Sequence, residues 1–137
     1  MEKIIKSNRG NGYIETVVGV FCSVLLLMLI INTFSLLALR QNMDYYTKEL
    51  LKTATIDGKI SSNVTERQNE LTAETGIPPT NVEWNTTYFN FTQKTVQFGD
   101  KIELTITCRT TFKGFGIFSI PVTMTSKHSG LSQRYHK

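Results

Sequence analysis

The chain has 137 residues, with 15 lysines and arginines against 11 acidic residues, and 40% of it is hydrophobic. That length makes room for one small domain and one long apolar segment, not for two sizeable cores. The mild positive charge gives no grounds for a specific nucleic-acid partner, and two cysteines exclude a disulfide-built scaffold.

Residues 1–10 read as a short basic leader, carrying Lys3, Lys6 and Arg9. From Thr16 to Leu39 no charge appears. As a helix, such a run of about 24 residues spans roughly 36 Å, enough to cross a bilayer's hydrocarbon core with some tilt. Residues 11–39 are therefore expected to form a single transmembrane helix. Cations before the run and no matching cluster after it, where Arg40 is soon followed by Asp44, place the N-terminus in the cytoplasm and the rest outside. The apolar run is longer than a secretory signal's, and no small-residue cleavage site closes it around Ser35 to Ala38. Cys22 falls in the span and Cys108 beyond it, so both read as small buried apolar residues, not as a bridge. A plain anchor explains the run and its basic flank. It does not explain Glu15, a lone carboxylate at the lip of the span, whose ionisation there costs several kcal/mol unless something pairs with it.

The stretch Arg9-Gly10-Asn11-Gly12-Tyr13-Ile14-Glu15, followed by Thr16-Val17-Val18-Gly19-Val20, resembles the precursors of type IV pilins. Within that class it is similar to the small TadE-like pseudopilins of tight-adherence systems, and to related small proteins of Gram-positive conjugative elements. The resemblance implies a prepilin-type peptidase that cuts after Gly10, leaving Asn11 as first mature residue and Glu15 as fifth. A cut after Gly12 would leave Glu15 third, a poorer match. Asn11 also departs from the aromatic first residue of many major subunits. The specific likeness covers about the first 30 residues, and beyond them it is one of outline.

Physical chemistry supplies a parallel argument. Asn11 and Glu15 are four apart and share a helix face. A cut at Gly10 would free a cationic amine on Asn11, which could meet Glu15 of a neighbouring subunit, so that association gives the charge its partner. The competing reading sets Glu15 at headgroup level, facing water. Gly19 and Ser23 form a small-xxx-small pair that permits close helix packing. Asn32, Thr33 and Ser35 mark the outer end of the span.

The helix is expected to continue. Leu36, Leu39, Met43, Tyr46, Leu50 and Ala54 recur at three- and four-residue intervals, so residues 40–60 read as its amphipathic extension. The prediction is one helix from about Tyr13 to Ile56, stopped by Gly58 or the Ser61-Ser62 pair. An extracytoplasmic head follows over residues 61–126. It opens with a polar surface helix from Asn63 to Thr75, capped by Asn63 and Glu66, touching the core through Leu71 and Ala73, and ended by Gly76.

From Val82 the period changes to two. Val82, Trp84, Thr86 and Tyr88, then Val96 and Phe98, then Ile102, Leu104, Ile106 and Cys108, and last Ile120, Val122 and Met124 alternate with polar neighbours. The fold class expected is α+β: a long N-terminal helix packed on an antiparallel sheet of about four strands, with Pro121 marking an edge. Phe112-Lys113-Gly114-Phe115-Gly116-Ile117-Phe118 reads as an aromatic loop. Phe115 and Phe118 either close one end of the core or form an exposed knob that meets a partner subunit or the membrane. Residues 127–137 read as a polar, mobile tail.

Catalytic and metal motifs are missing from the sequence. His128 and His136 stand far from any carboxylate or cysteine at ligand spacing, and there is no P-loop or Gly-x-Ser-x-Gly. No enzyme, metal or cofactor is expected. The leading expectation is a pilin-like structural subunit whose partners are the membrane, the peptidase and other pilin-like subunits. The alternative is an unprocessed, single-pass anchored head that binds something outside the cell.

Overall fold

A computed structural model describes the backbone of residues 9–114 and 118–137, and the side chains of residues 12–112 and 119–137. The elements in chain order are α1 (Arg9–Asp57), α2 (Ser62–Thr75), β1 (Asn81–Thr86), β2 (Lys101–Gly114) and β3 (Phe118–Leu131). The architecture is α+β, a long helix packed on a small antiparallel sheet.

Helix α1 runs unbroken for 49 residues. It stops at Gly58, whose φ of 59° is left-handed and whose N–H returns to Ala54 O at 2.9 Å. A Cβ at Gly58 would stand 2.6 Å from Arg134 Cβ, so space as well as conformation demands glycine there. Along the second half of α1, Met43, Tyr46, Leu50, Leu51 and Ala54 are buried. Their three- and four-residue spacing turns one stripe of the helix onto the sheet.

Helix α2 packs on α1 through Val64 and Leu71. The Tyr46 hydroxyl joins the two helices, donating to Gln68 O at 3.0 Å and lying 3.0 Å from the Thr72 hydroxyl. Two expectations for α2 are corrected. Ser61, not Asn63, occupies the N-cap, and its hydroxyl makes no cap bond. Asn63 instead donates to Asp57 at 3.0 Å, and Ala73 is exposed while Val64 takes the core position.

The sheet has three strands in the order β1-β2-β3. β1 pairs antiparallel with β2 from Asn81↔Thr107 to Thr86↔Ile102, and β2 with β3 from Lys101↔Leu131 to Gly114↔Phe118. The Val96–Phe98 stretch does not add a fourth strand. Val96 is fully buried and gives its N–H to Gly58 O at 2.7 Å, while Thr95 forms only isolated bridges with Lys59 and Asn90. β3 is an edge strand, as Pro121 requires.

On the face toward α1, β2 contributes the buried Ile102, Leu104, Ile106 and Cys108. Their partners on β3 are Gly130, His128, Ser126 and Met124. The apolar alternation predicted for β3 thus gives way to small and polar residues where α1 comes closest. A Cβ on Gly130 would meet Thr55 Cγ2 at 2.9 Å.

Residues 127–137 differ from the expected mobile tail. The chain remains in β3 to Leu131, and Ser132 is buried with its hydroxyl on Val96 O at 3.0 Å. Gln133 N–H bonds Thr55 O at 2.9 Å, and His136 N–H bonds the Gln97 side chain at 2.8 Å. These bonds pair backbone groups that would otherwise be exposed at a helix end and a loop, which is why a polar sequence docks here.

Candidate functional site

Two surfaces stand out, the bare first half of α1 and the groove where its second half meets β3. The first half includes an 18-residue window of mean hydropathy 2.6, none of it buried, and is long and apolar enough to cross a membrane. Its polar side chains turn inward on the helix. Thr16, Ser23, Asn32, Thr33 and Ser35 each donate to the carbonyl four residues back, at 2.8 to 3.1 Å. Such bonds hide hydroxyls and amides from an apolar surrounding and leave a smooth surface.

On an ideal helix of about 100° per residue, Gly12, Thr16, Gly19 and Ser23 fall within about 60° of one another. Nothing lies within 4 Å of a Cβ built on Gly12 or Gly19, so this stripe is open. Leu39, Met43, Tyr46, Leu50 and Ala54, which carry the head, centre roughly 170° away on the same wheel. Small residues and head therefore occupy opposite sides of α1. Glu15 borders the stripe and is exposed. Gly10 and Asn11 lie in the first turn of the helix, so the predicted junction continues directly into α1. Of the leader expected over residues 1–10, residues 1–8 lie outside the described residues.

The groove between α1 and β3 encloses about 540 Å³, with Leu36, Arg40 and Asp44 on one wall and Met124, Ser126 and His128 on the other. Ser126 Oγ donates to Asp44 Oδ1 at 2.7 Å, and His128 Nε2 lies 3.3 Å from the same oxygen. The Ser126 hydroxyl, and after it His128, hold the Asp44 carboxyl below its ordinary range. The three residues do not make a nucleophilic relay. Such a relay places the imidazole between serine and carboxylate, whereas here the serine is bonded to the carboxylate itself. The cluster is a polar clasp that fixes α1 to the edge strand.

On the opposite sheet face, Lys101 and Lys127 both reach Glu103 at 2.8 Å. Their hydrogen bonds pull the Glu103 carboxyl down to about 2. Among the described residues no group of three or more histidine, cysteine or acidic side chains is placed to hold a metal ion.

Of the predicted site residues, Glu15, Gly19 and Ser23 share the bare half of α1. Cys22 is exposed there rather than buried, while Cys108 is buried against Met43 and Ile77. Phe115 lies outside the described residues, as does the side chain of Phe118, whose backbone begins β3. The flanks of the expected aromatic loop are paired strand, with Phe112 opposite Ile120 and Gly114 opposite Phe118, and residues 115–117 lie outside the described residues. Sequence reading missed the Asp44–Ser126–His128 clasp, in which Asp44 lies more than eighty residues from the other two. His128 is not isolated. The family described as a domain of unknown function, DUF4320, matches residues 20–137, starting downstream of Glu15 and Gly19. No curated protein and no solved structure matches the chain.

Proposed function

The chain belongs to the DUF4320 family, and we propose that it is a pilin-like structural subunit of the TadE-like kind. The first half of α1 crosses the cell membrane with its N-terminus in the cytoplasm and the head outside. A prepilin-type peptidase removes the leader after Gly10. The mature subunit then joins others through its N-terminal helix, in a surface filament or in an adhesion, secretion or conjugation apparatus. Its role is assembly, not catalysis.

The observation that carries this reading is the division of one continuous helix. One side of its second half is buried under the head, while its first half is bare and carries Gly12, Thr16, Gly19 and Ser23 on the side away from the head. A bundle built on that stripe keeps every head on the outside. Small residues let backbones approach closely enough for dispersion contacts to favour association within lipid. The amine created on Asn11 can then reach Glu15 of a neighbour, replacing an unpaired intramembrane charge with a pair.

Mass spectrometry of the membrane-extracted protein tests processing. A mature N-terminus at Asn11 is the expected result. A chain retaining its leader while its subunits remain apart means an anchored extracellular binding head instead. Glu15→Ala should leave insertion and head folding unchanged but abolish crosslinking between subunits.

A further inference from the structure

The β2–β3 hairpin does not end where the head ends. Its far end lies beside the bare part of α1, where Asn32, Ser35 and Leu39 share a crevice of about 370 Å³ with Thr110 and Phe112. These helix positions fall within the last part of the uncharged run that closes at Leu39. Beyond Phe112 the two strands stay paired as far as Gly114↔Phe118. At about 3.3 Å per residue they advance another ~7 Å along α1, away from the head.

The hairpin's α1-facing side changes character along its length. Ser126 and His128 face α1 near the clasp, while Val122 and Ile120 follow toward the far end. Ile120 is 55% exposed and Phe112 half-buried. Phe112, Ile120 and Val122 thus lie where the hairpin passes the apolar part of the helix.

We propose that the β2–β3 hairpin, at Phe112 and Ile120, inserts into the outer leaflet at the headgroup–acyl boundary, as a second lipid contact beside the helix. The inference rests on the reading of α1 as a membrane span. Centring the uncharged run in a hydrocarbon core of about 30 Å sets its outer boundary near residue 37, beside Thr110 and Phe112. Lipid is favoured over a neighbouring helix because the hairpin lies on the side of α1 opposite the small-residue stripe. The contact is continuous with the exposed apolar surface of the span, and apolar side chains such as Phe112 and Ile120 suit that depth. Two contacts instead of one would fix the tilt and rotation of α1, and so the direction in which the stripe points.

Depth-dependent quenching tests this in full-length protein reconstituted into phosphatidylcholine–phosphatidylglycerol vesicles with brominated acyl chains. Ile120→Trp replaces an exposed side chain, so the fold should tolerate it. The natural Trp84 pairs with Leu104, eight residues from Phe112 along β2 or about 26 Å, and serves as a constant background. Val24→Trp reports on the span itself. The expected result is loss of emission by both added tryptophans relative to the parent. Quenching of Val24→Trp without quenching of Ile120→Trp overturns the proposal and leaves the span standing. No quenching of Val24→Trp removes the span, and the hairpin proposal with it. A blue shift of Ile120→Trp that follows protein density but ignores bromine identifies a subunit contact, and likewise overturns the proposal.

Discussion

At Glu103, Lys101 of its own strand and Lys127 of β3 converge on one carboxylate. Its folded pKa of about 2 lies below the ordinary 4.5. The stabilisation is therefore fully present above the ordinary value and is lost as pH falls from about 4.5 toward 2. In thermal melts recorded across that window, Glu103→Gln should show a flatter acid dependence than the parent. Equal slopes would remove Glu103 from the acid response. Gly130 makes the complementary steric case. With only 2.9 Å available between a Cβ and Thr55 Cγ2, Gly130→Val should destabilise the head by about 1–3 kcal/mol in denaturant titrations. A variant as stable as the parent would mean that α1 can lift from β3 at no cost.

At the scale of elements, α1 combines two helices of different purpose. Leu50 is fully buried, and Leu50→Ala should cost the head about 2–5 kcal/mol. Leu26 is 58% exposed, and Leu26→Ala in detergent should leave head stability unchanged. A matching loss at Leu26 would show that the bare half supports the head, contrary to the division drawn above. This division was legible in the sequence, because Met43, Tyr46, Leu50 and Ala54 repeat at helical spacing and Gly58 gives the chain somewhere to stop. β3 was only half legible. Its apolar alternation holds at Val122 and Met124, then fails at Ser126, His128 and Gly130. There, packing answers to a carboxylate on α1 and to the close approach of Thr55, neither of which lies nearby in sequence. The docked C-terminal segment was hidden for a similar reason. Ser132, Gln133 and His136 are held by hydrogen bonds to the end of α1 and the 95–100 loop, and period-based reading does not register bonds of that kind.

At the scale of the whole molecule, a compact head sits on one side of a rod whose free half carries small residues on the other. Glu15 and the Gly19–Ser23 pair could be picked out from the sequence alone, by charge and spacing. Their relation to the head could not, since it depends on how far α1 turns without a break before Met43. The central claim is that copies of this chain meet along that stripe, with Glu15 contributing to the contact. Disulfide crosslinking in membranes tests it most directly, with Cys22→Ser as background and Ser23→Cys compared with Phe21→Cys on the head side. The account predicts covalent dimers on mild oxidation for Ser23→Cys, few for Phe21→Cys, and loss of the dimers when Glu15→Ala is added. Equal crosslinking at both positions, or dimers indifferent to Glu15, would contradict it.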